Sequence, residues 1–372
     1  MRVVKVNLKQ DPYPVYIGEN ILPAFGELLR KIDFPGYLAV ITHPGLKELY
    51  GETIETSLKR NGFSYFTIQV PEGENTKSLH QVEALYQDLI SLKMGRDSGL
   101  VAFGGGVTGD LTGFVAATYL RGISYVQVPT TLLAQVDSSI GGKVGVDLPA
   151  GKNLVGAFWQ PRMVLSEVSV LRSLPRRELM SGIAEIIKYG IIADDRFFER
   201  LDKNMARLLP PLDGKLPDFE FLEEVVEKCT RIKADVVEKD ERERDIRAIL
   251  NYGHTLGHAI EAATDYKRYT HGEAIAIGMV GAARISTTLG LLGDEDFRRH
   301  ISILKKAQLP VSCPSIEKGR ILNALKLDKK RKENKLRVVL AVKIGKVKIE
   351  GNIPDKVIEE AVDYLRVHKP QV

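Results

Sequence analysis

Three of the seven histidines crowd into residues 254–271, where Asn251-Tyr-Gly-His254-Thr-Leu-Gly-His258-Ala-Ile-Glu261 is followed by His271-Gly272-Glu273. Histidines at i and i+4 share one face of a helix. Arg247 and Asn251 extend that face if a helix runs over Ile246–Ala263. One stripe would then present a cation, an amide and two imidazoles. Upstream, Ala184-Glu185-Ile-Ile-Lys188-Tyr189 sets a carboxylate and an amine one turn apart on an apolar helix. A catalytic zinc typically takes three protein ligands and keeps one position open. Glu185, His254, His258 and His271 are the candidate ligands. The motif is not His-Glu-x-x-His, so a metalloprotease would lack its base.

Two other stretches suit phosphate. Leu100-Val-Ala-Phe-Gly104-Gly105-Gly106-Val107-Thr108-Gly109-Asp110 runs from a strand into a helix. Glycines let a backbone approach a pyrophosphate, and the helix start offers free N–H groups. The spacing is not Gly-x-Gly-x-x-Gly, so the usual dinucleotide fingerprint is absent; a plain tight turn is the alternative. Pro71-Glu72-Gly73-Glu74-Asn75-Thr76-Lys77 follows an earlier strand, at the sheet edge where ligands of open α/β folds bind. Further on, Gly141-Gly142-Lys143 and Gly151-Lys152-Asn153 each set an ammonium beside exposed backbone amides. Asp137 lies in an apolar, small-residue segment between Thr130-Thr131 and Gly141, where a carboxylate needs a partner or a ligand hydroxyl.

Alternating strands and helices must position these groups. Tyr37–Ile41, Tyr65–Val70, Gly99–Phe103 and Tyr125–Val128 read as strands, with helical periodicity between them, as in Ser78–Leu92. That alternation implies a largely parallel sheet covered on both faces. Beyond Pro161 the periodicity turns helical, over Glu178–Ile192, Glu220–Lys239, Ile246–Ala263 and Glu273–Leu289. A hairpin is expected around Ile344-Gly345-Lys346. The expected fold is therefore α/β: a Rossmann-like parallel-sheet domain over residues 1–168 and a mainly α-helical domain over 169–372.

The 372 residues are 44% apolar and 27% charged, enough for a large core. Basic residues exceed acidic ones by 53 − 48 = +5, and the charges are interspersed. That suits an anionic small molecule, not nucleic acid. Cys229 and Cys313 form no metal-ligand spacing and point to a reducing compartment. The first residues alternate like a strand, unlike a signal peptide, and no window nears the ~18 apolar residues of a membrane span. A cytoplasmic protein is expected.

In order and spacing, Gly104–Asp110, Arg121-Gly122, Pro129-Thr-Thr-Leu-Leu-Ala-Gln-Val-Asp137, Gly141-Gly-Lys143, Gly151-Lys-Asn153, Ala184-Glu185-x-x-Lys188-Tyr-Gly, Asn251-x-Gly-His254-Thr-x-Gly-His258 and His271-Gly-Glu resemble the 3-dehydroquinate synthases. The likeness spans nearly the whole chain. It implies a homodimeric lyase using NAD and zinc (or cobalt) on a sugar-acid phosphate. It further implies that Glu185, His254 and His271 ligate the metal, leaving His258 as an acid/base group. NAD would lie along Glu72, Gly73, Glu74, Asn75, Thr76, Lys77, Gly106, Val107, Thr108, Gly109, Asp110, Thr130, Thr131 and Lys152, with Val170, Leu171, Arg172 and Ser173 at the adenine end. Arg121, Lys143, Asn153 and Lys329 or Lys330 would hold the phosphate, and Lys143 also borders the cofactor. Lys233, Arg247 and Asn251 would hold the substrate carboxylate, while Asp137 and Lys188 contact its hydroxyls. Relatives that make deoxy-inosose carry Glu where Arg247 stands, so Arg247 points to a carboxylate-bearing heptulosonate over hexose 6-phosphate or sedoheptulose 7-phosphate. A polyol dehydrogenase of similar architecture and a non-catalytic nucleotide binder are the remaining alternatives.

Overall fold

A computed structural model describes residues 1–209, 218–331 and 336–367, with side chains to residue 327 in the second stretch. Its chain divides into two compact units. The first comprises Met1–Leu174 and Phe219–Arg242, the second Pro175–Asp218 and Glu243–Val372.

The first unit is built on strands β1 (Arg2–Val6), β2 (Tyr13–Gly18), β3 (Tyr37–Thr42), β4 (Ser64–Gln69), β5 (Gly99–Gly104), β6 (Ser124–Pro129), β7 (Lys143–Leu148), β8 (Gly151–Phe158) and β9 (Val164–Glu167). Seven of them form one sheet in the order β1-β2-β9-β6-β5-β3-β4, parallel except for β1 against β2. Helices α1 (Phe25–Lys31), α2 (Pro44–Arg60), α3 (Leu79–Ser91) and α4 (Gly106–Thr118) are the crossovers. Side chains alternate across a strand, so Leu38 and Val40 of β3 join Ile54 and Leu58 of α2 in one core. Ala39 and Ile41 join Leu85 of α3 and Leu111 of α4 in the other. Both faces are thus covered, as a parallel sheet requires. The chain leaves β3 outward to β4, then crosses back to β5 on the other side. The β3/β5 pair is therefore the switch point where ligands of such sheets bind.

The second unit holds α5 (Arg176–Ala193), α6 (Asp195–Leu208), α8 (His254–Ala263), α9 (His271–Thr288), α10 (Asp294–Lys306), α11 (Lys318–Arg331), α12 (Asp355–Val367) and the hairpin β10 (Val338–Lys343)–β11 (Lys346–Glu350). Buried along most of its length, α9 packs against α5, α8, α10 and α12. This is the expected α/β domain followed by a mainly helical region.

Two expectations need correction. The change of unit comes at Leu174/Pro175, not at 168/169, and α7 (Phe219–Lys239) belongs to the first unit. Its apolar face, with Phe221, Leu222, Val225 and Val226, packs on β1 and β2; helical periodicity reveals that a face is buried, not which surface buries it. Nor is Ile246–Ala263 one helix. Ile246–Asn251 is a 3-10 turn, Gly253 takes φ +80°, and α8 starts only at His254. Arg247 and Asn251 therefore do not share a helical stripe with His254 and His258.

Candidate metal centre and cofactor loops

In the second unit, glycines bring the helix starts together. Gly253, Gly257 and Gly278 line the α8–α9 contact: a Cβ on Gly278 would stand 2.1 Å from the Gly253 carbonyl oxygen and 2.7 Å from the Gly257 nitrogen. A Cβ on Gly272 would stand 2.3 Å from the Ser181 carbonyl oxygen, so α9 meets α5 backbone to backbone. The Gly272 amide also donates to Ser181 Oγ at 2.8 Å. The start of α9 is fixed by a capping box in which Thr270 and Glu273 satisfy each other's amides. Arg177 of α5 grips the same Glu273 through two hydrogen bonds of 2.9 and 2.7 Å. Each residue of His271-Gly272-Glu273 therefore has its own task.

These contacts gather His254 and His271, each the first residue of its helix, around Glu185. Glu185 lies mid-way along α5 and is fully buried. His254 Nε2 lies 3.6 Å and His271 Nε2 3.5 Å from Glu185 Oε1. One ligand atom from each of the three falls within 4.8 Å of the others. Two imidazoles and a carboxylate form a catalytic-zinc donor set. His254 Nδ1 faces the Tyr252 carbonyl at 3.1 Å, which turns Nε2 toward Glu185. Burial drives the His254 pKa down to about 3, against the pull of Glu185, so its ring is a neutral donor. Burial opposes charge on His271 too, but the Glu185 and Glu261 carboxylates, each 3.5 Å from a ring nitrogen, outweigh it and raise its pKa to about 10. A bound cation would replace that proton. Lys188 pairs with Glu185 inside the same core, both side chains almost wholly enclosed.

His258 sits on the exposed side, its ring centroid 5.3 Å from that of His254 and 6.0 Å from that of His271. His258, His271 and Glu261 form a second group with ligand atoms within 4.8 Å. Glu261 was not among the expected site residues; its signal was its place in sequence, two helical turns beyond His254. Arg247 is 2% exposed, and Asn251 donates to Glu243 Oε1 at 2.9 Å.

In the first unit, three segments converge at the carboxyl edge of the sheet. Lys77 Nζ, from the loop after β4, bonds Asp110 Oδ2 of α4 at 2.5 Å and Asn153 Oδ1 of β8. Burial disfavours the Lys77 ammonium, but Asp110 outweighs it and holds its pKa above the usual lysine value. Glu72, Gly73, Glu74 and Asn75 are exposed, and Thr76 is buried with its hydroxyl on the Pro71 carbonyl. Lys152 lies 3.7 Å from Glu74. Gly105 caps α4 without a side-chain bond, which leaves the first-turn amides of Gly106, Val107 and Thr108 to an anion. The neighbouring glycines also serve packing: a Cβ on Gly104 would strike Thr108, on Gly105 Thr131, and on Gly109 Gln127. Thr130 is buried, and Thr131 Oγ1 accepts from the Ala134 amide at 3.2 Å. The Val168–Ser173 turn buries Val170 and Leu171, pairs Arg172 with Glu19, and bonds Ser173 Oγ to Tyr50 at 3.0 Å.

Asp137 sits in a π-helical turn, Ala134–Ser138, a local distortion common at functional sites. Lys233 donates to its carbonyl at 2.6 Å and to its carboxylate. Lys143 opens β7 and, like Arg121 and Asn153, is exposed. Arg121 at φ +68° and Asn153 at φ +54° both hold left-handed backbone, a strain that persists only where surrounding structure enforces it. Next to Arg121, Gly122 lies hard against Trp159, whose ring a Cβ there would meet at 2.4 Å. The side chains of Lys329 and Lys330 lie outside the described residues.

Residues 67–181 match the family model for the 3-dehydroquinate synthase N-terminal region and residues 182–331 that for its C-terminal region. A 3-dehydroquinate synthase of Thermodesulfovibrio yellowstonii is 45% identical over 98% of this chain and 100% of its own length. The chain belongs to the 3-dehydroquinate synthase family. Another member, from Pelobacter propionicus, is 47% identical over 93% of this chain and 94% of its own. Enzymes of the 3-dehydroquinate synthase family are carbon–oxygen lyases acting on phosphates. Among solved structures, 2-deoxy-scyllo-inosose synthase complexed with carbaglucose-6-phosphate, NAD+ and Co2+ superposes with a TM-score of 0.86 at 27% identity, over 98% of this chain and 99% of that one. Glycerol dehydrogenase of Schizosaccharomyces pombe shares the fold at a TM-score of 0.67 and 17% identity, over 95% of this chain and 88% of that one. Among the described residues no helix is long and apolar enough to cross a membrane.

Proposed function

We propose that the protein converts 3-deoxy-D-arabino-heptulosonate 7-phosphate to 3-dehydroquinate and phosphate, with NAD and a zinc ion (cobalt as substitute) as cofactors. The Glu185–His254–His271 donor set, gathered around a buried carboxylate in a member of this family, is the observation that carries the reading. The donors fit zinc by number and type, and cobalt by the same nitrogen and oxygen chemistry. The open first turn of α4 fits a pyrophosphate, with the 72–77 loop, Thr130, Thr131, Lys152 and residues 170–173 as further NAD contacts. When bound, the two cofactors supply a Lewis acid beside a substrate hydroxyl and a hydride acceptor restored within the same turnover.

The chain's own residues bind, orient and move protons. Arg121, Lys143 and Asn153 hold the phosphate, with Lys329 or Lys330. Arg247, a planar fork fixed by burial, takes the carboxylate with Asn251 and Lys233. Asp137 and Lys188 hold hydroxyls. His258 Nε2 or Nδ1, on the exposed side of the cluster, takes and returns the hydroxyl proton. We further place the protein in the cytoplasm as a homodimer, which light scattering after gel filtration tests. The decisive experiment follows phosphate and NADH together with zinc, NAD and the heptulosonate phosphate. Phosphate should appear with no net NADH; one NADH per phosphate would refute the reading, as would faster turnover of glucose 6-phosphate or sedoheptulose 7-phosphate assayed in parallel.

A further inference from the structure

A histidine ligates a metal through one nitrogen only when the proton sits on the other. What faces the second nitrogen therefore decides how well the first can bind. His254 meets this requirement through the Tyr252 carbonyl. His271 has a carboxylate instead: its Nε2 is 3.5 Å from Glu185 Oε1, and its Nδ1 is 3.5 Å from Glu261 Oε1. Glu261 is 5% exposed. It stands on α8 two turns beyond His254, so a single helix presents one ligand at its first residue and a carboxylate to the ligand of the next helix.

We propose that Glu261 is a positioning residue for the metal centre: it accepts the Nδ1–H of His271 and so commits His271 Nε2 to the metal. The proposal rests on the Glu185–His254–His271 reading above. Its competitor is direct ligation, because His258, Glu261 and His271 could also gather one cation. A cation there would take His271 Nδ1 and leave Glu185 and His254 without their third donor. In the three-ligand set built on the wholly buried Glu185, the second nitrogens of both histidines meet an acceptor, the Tyr252 carbonyl for His254 and Glu261 for His271. A carboxylate behind a ligating imidazole raises its basicity and fixes its orientation, and losing such a partner typically weakens metal binding ~10–100-fold.

The test compares full-length wild-type protein with Glu261→Gln, Glu261→Asp and His271→Ala after metal removal. Zn2+ affinity is read by competition with a chromophoric chelator, the ligand field by Co2+ absorption, and folding by the melting temperature of the metal-free proteins. Glu261→Gln should still bind one equivalent, about 10–100-fold more weakly. Its Co2+ band positions should be near those of wild type, and its metal-free form should still melt in a single cooperative transition. Glu261→Asp, which keeps the charge but withdraws it, should fall between the two. A Glu261→Gln affinity equal to wild type overturns the proposal, and a loss of binding as complete as in His271→Ala makes Glu261 a ligand and also overturns it. If His271→Ala itself binds Zn2+ like wild type, the metal centre has been misassigned, and the proposal falls with it for that separate reason.

Discussion

Replacing Gly272 with alanine tests whether the α5–α9 contact sets the metal geometry. The added Cβ would lie 2.3 Å from the Ser181 carbonyl oxygen and 2.4 Å from the Ser181 Cα. Ordinary contacts of this kind sit near about 3.5 Å, so the two helices must separate by roughly 1 Å. Both obstructing atoms are backbone, and no side chain can swing aside. Glu185 rides on α5 and His271 begins α9, so the separation pulls two of the three ligands apart. Metal sites tolerate only about 0.2 Å in ligand distance. Gly272→Ala should therefore lose at least ~100-fold in Zn2+ affinity, and overpacking should destabilise the fold by about 1–3 kcal/mol. Ser181→Ala removes only the hydroxyl that accepts the Gly272 amide and should cost about 1 kcal/mol with little change in affinity. Chelator competition and denaturant unfolding measure both. A Gly272→Ala protein that binds zinc within threefold of wild type would refute the argument that this contact sets the site.

Three further outcomes are expected. His258→Ala should retain zinc, measured by atomic absorption, while losing turnover; metal loss equal to that of His271→Ala would contradict the ligand assignment. Arg247→Lys keeps the charge but loses the paired geometry, so kcat/KM for the heptulosonate phosphate should fall about 10–100-fold, the ~1.5–3 kcal/mol of a charge-assisted bond; an unchanged value removes Arg247 from the carboxylate site. His300, enclosed by Phe198 and Tyr252, has its pKa lowered by burial to about 4. Between pH 6.5 and about 4 the unfolded chain then binds the extra proton, so stability falls as pH drops through that window and levels off below it. The loss is about 3 kcal/mol. His300→Asn, which can still donate to the Asp296 carbonyl, should flatten that limb in urea unfolding across pH; an unaltered limb would show that another group carries it.

Much of this protein was legible from residue order. Short apolar runs placed β3–β6, helical runs placed α3, α5, α7 and α9, and turn chemistry placed the β10–β11 hairpin. The metal candidates were legible as residue types at helical spacing, and the structure brings Glu185, His254 and His271 together. The stripe from Arg247 to His258 was not, because it assumed one helix through Gly253. That glycine is left-handed, and its carbonyl lies against Gly278 of α9, a partner that local periodicity does not contain. Lys233 likewise looked like part of the helical domain until α7 proved to cover β1 and β2, which sets its ammonium on Asp137. The glycines of the 104–109 turn suggested close approach by a phosphate; the structure adds that Thr108, Thr131 and Gln127 also occupy the space a Cβ would need.

Sequence alone determined the periodicities, the inventory of acids, bases and donors, and the order of motifs that marks the family. Those follow from local rules, because backbone preference and the burial of a face act over a few residues. Tertiary structure alone decided which groups meet: Glu185 with the first residues of two later helices, Lys77 with Asp110 and Asn153, and Glu261 with the far nitrogen of His271. Such meetings depend on how closely one backbone can approach another, and here glycines at helix contacts set that distance.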